Sequence, residues 1–120
     1  MRNLLKLLTV VVLLIGSCKN NNTKIIKTYW YNDSTKLMER FEVQLHNDSI
    51  KHGLYESFYA NGNKEFIKHF SQNLQTDSFF HFNENGVLTE KAFYKKNLLE
   101  GGRILYFTNH QPQTIEIYKN

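Results

Sequence analysis

Two stretches decide the fold: GLYESFYANGNKEFIKHFSQNLQT, residues 53–76, and DSFFHFNENGVLTEKAFYKKNLLE, residues 77–100. Laid one over the other without gaps, they repeat each other, and residues 101–120 (GGRILYFTNHQPQTIEIYKN) continue the series. Phe58, Phe82 and Tyr106 fall in one column, Phe70, Tyr94 and Tyr118 in another, and Asn61, Asn85 and Asn109 in a third. Gly62 and Gly86 follow the first two asparagines, and His110 departs from them after the third. A fixed period of this length marks one supersecondary unit used repeatedly.

Each unit has the layout of a β-hairpin. Asn-Gly between hydrophobic runs is the strongest short-range hairpin signal, because both central positions of a type I′ turn need positive φ. That predicts such turns at Asn61-Gly62 and Asn85-Gly86. The flanking runs are rich in Phe, Tyr, Ile and Thr, which suit a pleated, half-buried surface. Thr114 to Tyr118 alternates well, while the other return strands alternate poorly. Gly53, Asp77, Gly101 and Gly102 are expected at the junctions between hairpins, and Pro112 at a strand start or an edge. The chain reads as all-β, with units at 53–76, 77–100 and 101–120. A looser unit over 25–52 precedes them, with Tyr29-Trp30-Tyr31-Asn32-Asp33 approaching its turn and Lys36 to Leu45 returning.

Upstream of the repeats the character changes. Lys19 to Lys24 is polar and reads as part of a tether over 18–24. Before it, Arg2 and Lys6 precede the apolar run LLTVVVLLI from Leu7 to Ile15, and Gly16-Ser17-Cys18 ends it. A cationic start, an apolar stretch and small residues form the layout of a secretory signal peptide over residues 1–17. The run falls short of the roughly 20 residues a membrane-crossing helix needs. Ile15-Gly16-Ser17-Cys18 resembles the bacterial lipobox, in which the cysteine receives diacylglycerol. That resemblance implies lipid attachment at Cys18 and a membrane as partner. Cys18 is the only cysteine, so it has no disulfide partner within the chain. No aspartate follows it, and an outer-membrane, periplasm-facing location is the default expectation.

Removing Arg2 and Lys6 from the 15 cations leaves 13 against 11 acidic residues. So mild a balance, with the two signs interspersed, does not point to nucleic acid. All the aromatic residues lie beyond the tether.

His52-Gly53, Tyr55, Phe58-Tyr59 and Asn61-Gly62 together resemble the bacterial variant of the MORN repeat. There His-Gly opens a unit, an aromatic follows, and an aromatic pair precedes Asn-Gly. The second unit keeps Phe79, Phe82 and Asn85-Gly86 with Asp77 for the opening glycine. The third keeps Gly101, Tyr106-Phe107 and Asn109, with Arg103 where an aromatic is expected. The resemblance implies stacked antiparallel β-hairpins in an elongated, twisted single-layer sheet, each unit stabilised by its neighbours. It also implies a scaffold or interaction surface, with another envelope protein as partner. Bacterial members often carry an antitoxin label, which fits poorly with export.

Chemistry-bearing residues are sparse in pattern. His46, His52, His69, His81 and His110 show no metal-ligand spacing, and no second cysteine joins them. No nucleophile elbow, HExxH or phosphate loop occurs, and no cofactor is implied. The expectation is a non-catalytic binding module, ahead of an immunity-like protein that neutralises a toxin and of an envelope enzyme. Tyr29, Trp30 and Tyr31 are the candidate binding surface, in the unit nearest the tether, where they either cap the first hairpin or touch partner or lipid. Lys91, Lys95, Lys96 and Arg103 gather cations that suit anionic headgroups or a solvated face.

Overall fold

The computed structural model describes residues 22–119. The signal peptide expected over 1–17 and the lipid site expected at Cys18 lie outside the described residues. Nine strands follow one another: β1 Thr23–Trp30, β2 Asp33–Gln44, β3 Asn47–Phe58, β4 Lys64–Ser71, β5 Leu74–Phe82, β6 Leu88–Lys95, β7 Leu98–Leu99, β8 Gly101–Tyr106 and β9 Pro112–Tyr118. All pair antiparallel in one open sheet ordered β1-β2-β3-β4-β5-β6-β8-β9, with β7 beside β6. The described residues are all-β, with no helix among them. β1 begins at Thr23, so the last two residues of the expected tether are already strand, and Lys24 pairs with Asp48 at 2.6 Å.

The meander has two ends, and they turn by different chemistry. At the end away from Asn22, which we term distal, the β1–β2 turn holds two residues, Tyr31 and Asn32, and the β3–β4, β5–β6 and β8–β9 loops hold three. Tyr59 N–H donates to Asn63 O at 2.8 Å and Gly62 N–H to Tyr59 O at 2.9 Å, with Gly62 at φ +89°. The same pair of bonds recurs one period on at Asn83, Gly86 and Val87, and again at Phe107, His110 and Gln111. Only the third loop residue takes positive φ, so the expected two-residue type I′ turns at Asn-Gly do not form. These are type I turns closed by a left-handed residue, the usual three-residue hairpin. Each is followed by a register shift on the return strand, at Glu65, Thr89 and Gln113. The extra residue of the loop and the shifted register together keep the aromatic columns facing one way.

Type I′ geometry sits at the opposite, proximal end. Gln72 and Asn73 lie at φ +52° and +65°, and Lys96 and Asn97 at +50° and +69°. Asparagine tolerates the left-handed region better than most residues, and two residues suffice between Ser71↔Leu74 and Lys95↔Leu98. Gly53, Asp77 and Gly101, expected as junctions, lie inside the strand course at φ +121°, +65° and +74°. There β3 and β5 carry two more residues than their partners, between Phe41↔Tyr55 and Val43↔Lys51 and between Ile67↔Phe80 and His69↔Thr76. A Cβ on Gly53 would press to 3.0 Å from the Cβ of Glu42. Asp77 fills the equivalent place because its Oδ1 accepts the Ser78 N–H at 2.7 Å.

His110 is the one distal loop residue that takes the left-handed conformation with a side chain, at φ +66°. His110→Gly is therefore expected to stabilise the protein by about 0.5–1 kcal/mol, since an L-residue there costs more than glycine's extra chain entropy. Thermal melting checks this: a midpoint raised by a few degrees is expected, and a lowered one refutes the strain argument.

Turns also tie each hairpin to the previous one. Asn73 donates its N–H to Lys51 O at 2.9 Å, accepts the Lys51 N–H on Oδ1 at 2.7 Å, and reaches Ser49 O with Nδ2 at 3.1 Å. Asn97 treats Gln75 the same way, at 2.8 and 2.6 Å. Distally, the Tyr59 hydroxyl donates to Phe82 O, and Asn61 and Asn63 both donate to Glu84 O. Strand N–H and C=O groups that run past a shorter neighbour thus find partners. Only Val43, Phe79, Ala92, Glu56 and Ser57 are buried among the described residues, as a single layer dictates.

Candidate functional site

Cross-strand partners share a face of the sheet, which sorts the side chains into two surfaces. One face carries Phe41, Tyr55, Phe66, Phe70, Phe79, His81 and Tyr94. Phe41 and Tyr55 stack at 6.1 Å, and Phe66 stacks on His81 at 4.6 Å. Tyr55 meets Phe70 edge-on at 6.0 Å and 76°, and Phe79 meets Tyr94 at 5.8 Å and 75°, the same contact repeated one unit later. In the third unit Arg103 takes the place of that first ring. Its guanidinium donates to Glu90 at 2.6 Å and Glu116 at 3.0 Å, so the aromatic strip ends in an ionic one. The Tyr118 hydroxyl also donates to Glu116, and with Arg103 it holds that carboxyl below its usual range.

Two lysines cover this strip. Lys51 Nζ lies 5.0–5.5 Å from the ring centroids of Phe41, Tyr55 and Phe70. Lys68 Nζ lies 4.5–5.8 Å from those of Tyr55, Phe66 and Phe79. Their stems cover apolar surface that a second layer would otherwise cover, and their charges sit over ring faces. Burial, and then the neighbouring Lys51, pushes the Lys68 ammonium below its ordinary range. The Tyr55 hydroxyl, half-buried and donating to Glu39 at 2.7 Å, is pushed well above the ordinary tyrosine range, by desolvation first and the Glu39 contact second. Rings occupied in this way are the sheet's own packing rather than a bare platform for a ligand.

The opposite face is less covered. Arg40 and Lys64 converge on the buried Glu56 carboxylate at 3.2 and 2.7 Å. Further along, Lys91 lies over Phe80 at 5.9 Å, and Lys91↔Ile104↔Ile115 form one cross-strand row. Phe93, two residues from Lys91, and Ile117, paired with the side-chain-free Gly102, extend this apolar surface. Ile115 and Ile117 are 62% and 68% exposed. Their strand, β9, is one edge of the sheet.

No protein-family model matches the chain, and neither a curated protein nor a solved structure does.

The sequence candidates are placed as follows. Tyr31 is 98% exposed in the β1–β2 turn, Tyr29 is about half exposed, and Trp30 is half-buried with its indole N–H buried and lacking a hydrogen-bond partner among the described residues. All three sit at the distal end. β1 carries them about 25 Å from Asn22, so the unit nearest the tether in sequence holds its aromatic triad at the far end from it. The four cations do not gather either. Arg103 faces the aromatic side within its ion pairs, Lys91 faces the other side, and Lys95 pairs with Glu100 at 3.6 Å. Alternation of side chains across the sheet separates residues that are close in sequence.

The histidines are dispersed as well. His81 Nδ1 is 3.2 Å from Thr89 Oγ1, and His69 Nδ1 is 3.3 Å from Ser78 O. His46 and His52 line one concavity at the proximal end, with His52 Nδ1 buried and unpaired there. Among the described residues, no three His, Cys, Asp or Glu side chains could hold a metal ion. Sequence reasoning missed the exposed Ile115, Ile117 and Phe93 surface. Its signal was the clean Thr114–Tyr118 alternation, which carried no mark of which side is covered.

Proposed function

We propose that this chain is a lipid-anchored protein of the cell envelope, at the outer membrane facing the periplasm, that serves as a non-catalytic binding or scaffold module built from MORN-like hairpins. The lipobox-like Ile15–Cys18 segment supports the anchor. The observation that carries the binding role is the exposed apolar surface of Phe93, Ile115 and Ile117, with the half-buried Ile104 between them, on and near the edge strand β9. An edge strand offers unpaired backbone groups as well as side chains, and strand addition to such an edge is a common mode of recognition. The partner is another envelope protein. The ionisable side chains support the same reading, because Glu39, Glu56, Glu90 and Glu116 each hold a hydrogen bond or ion pair across the sheet rather than facing a cleft.

One experiment tests both halves. A photo-crosslinking residue at Ile117, in the wild-type leader and in Cys18→Ala, is activated in intact cells. Acyl labelling and membrane retention should be lost in Cys18→Ala, and a discrete crosslinked envelope protein should form from Ile117 but not from Asn85. Unchanged acyl labelling in Cys18→Ala sinks the anchor; no adduct at Ile117 sinks the binding surface.

A further inference from the structure

The proximal end of the sheet holds a feature that the packing does not use. Leu45 lies in the β2–β3 turn, and Leu74 and Leu98 each follow a type I′ turn, one period apart. All three are exposed. Three shallow concavities run along this end in sequence. The first, of about 390 Å³, includes Leu45, His52 and Gln72; the second, of about 350 Å³, includes Gln72, Leu74, Lys95 and Lys96; the third, of about 240 Å³, includes Lys95, Lys96 and Leu98. Shared walls make them one stepped surface, with a leucine at each step and lysines between the last two. Type I′ turns need particular backbone residues, not an exposed leucine after them. At the distal end the β3–β4 and β5–β6 loops present Asn61, Gly62, Glu84, Asn85 and Gly86, all exposed, and the exposed rings there, Tyr31 and Phe107, stand in separate turns without lysines beside them.

The chain itself says what lies opposite this end. Leu45 N–H donates to Asn22 O at 2.8 Å, so the described chain begins directly beside the first leucine. Four residue steps separate Asn22 from Cys18, and even fully extended they reach only about 14 Å. A lipid on Cys18 therefore holds the bilayer against the leucine end and cannot hold it against the distal loops alone.

We infer that the proximal end is a bilayer-contact surface, on which Leu45, Leu74 and Leu98 enter the boundary between headgroups and acyl chains while Lys95 and Lys96 face anionic headgroups. The inference rests on the lipid-anchor reading and adds an orientation to it: the strands stand on the membrane, and the distal loops and Tyr31 point away. Apolar side chains flanked by lysines suit this boundary, which is apolar within and anionic at its surface. A stepped row of contacts fixes tilt as well as distance, which a lipid on a short tether does not.

The test uses the full acylated chain. Acylation occupies the only native thiol, so Leu74→Cys, Leu98→Cys, Tyr31→Cys and Asn85→Cys each present a single reactive cysteine for an environment-sensitive fluorophore. The proteins are placed in vesicles of phosphatidylethanolamine and phosphatidylglycerol, with and without a lipid-borne quencher. Labels at 74 and 98 should shift to the blue and lose emission to the quencher, and labels at 31 and 85 should do neither. Equal or stronger quenching at 31 or 85 overturns the orientation. An acylated chain with unquenched labels at 74 and 98 overturns this inference alone, whereas a chain with no acyl group on Cys18 overturns the anchor and the inference together.

Discussion

Phe79→Ala is expected to lower stability by about 3–4 kcal/mol, the cost of emptying a well-packed phenylalanine site. Phe79 is 8% exposed and is the hinge of the aromatic strip, touching Phe66 at 5.9 Å and Tyr94 at 5.8 Å beneath the Lys68 ammonium. A domain of this size has only about 5–15 kcal/mol in total, and one with so few buried residues stands at the low end. The truncated protein should therefore be largely unfolded at growth temperature. Phe93 supplies the control. It lies in the same repeat but on the other face and is 43% exposed, so Phe93→Ala should cost under about 1 kcal/mol. Denaturant midpoints measured side by side decide the matter: equal shifts for the two would mean that the strip is not the core.

The second large effect concerns Glu56. Its carboxylate is buried, 5% exposed as a residue, while Arg40 and Lys64 remain about half exposed. The asymmetry predicts an asymmetric response. In Glu56→Gln the two cations can rehydrate, so the loss should be about 1 kcal/mol. Replacing both cations by methionine strands a buried charge, and that should cost about 3–5 kcal/mol. Urea melts of the two variants side by side check this, and equal losses would show that the carboxylate was never starved of solvent.

Much of the architecture was legible because the repeat is strict in the residues that make turns. The columns at Gly53, Asp77 and Gly101, and at Gly62, Gly86 and His110, supply six of the ten left-handed positions among the described residues. What they do was harder to read. Asn-Gly suggested a two-residue turn, yet the loops there hold three residues, because the return strands carry an extra residue at Glu65, Thr89 and Gln113. The true two-residue turns fell on Gln72-Asn73 and Lys96-Asn97, where no glycine drew attention. The asparagines matter there for a second reason that sequence does not display, since their amides bond a strand from the preceding hairpin.

Surface assignment was the weakest link. In β9 the isoleucines face out and Thr114, Glu116 and Tyr118 face the covered side. Arg103 explains the inversion. Standing in an aromatic column, it draws Glu116 and Tyr118 to its own face, and the alternation then sends Ile115 and Ile117 to the other. Hydrophobic alternation identifies a strand, but in a single layer the covered face is set by the neighbours' side chains. The aromatic triad is close in sequence to the start of the described chain, yet β1 sets it one strand's length from Asn22.

The tying of each turn to the hairpin before it also bears on how the chain folds. Among the bonds described, the widest, Asn73 to Ser49 and Lys24 to Asp48, close loops of 24 residues. Short loops close quickly and at little entropic cost. A chain that emerges N-terminus first can thus complete each hairpin against the one that emerged before it. It need never wait for its C-terminus, and its growing edge is the only part left exposed at any moment.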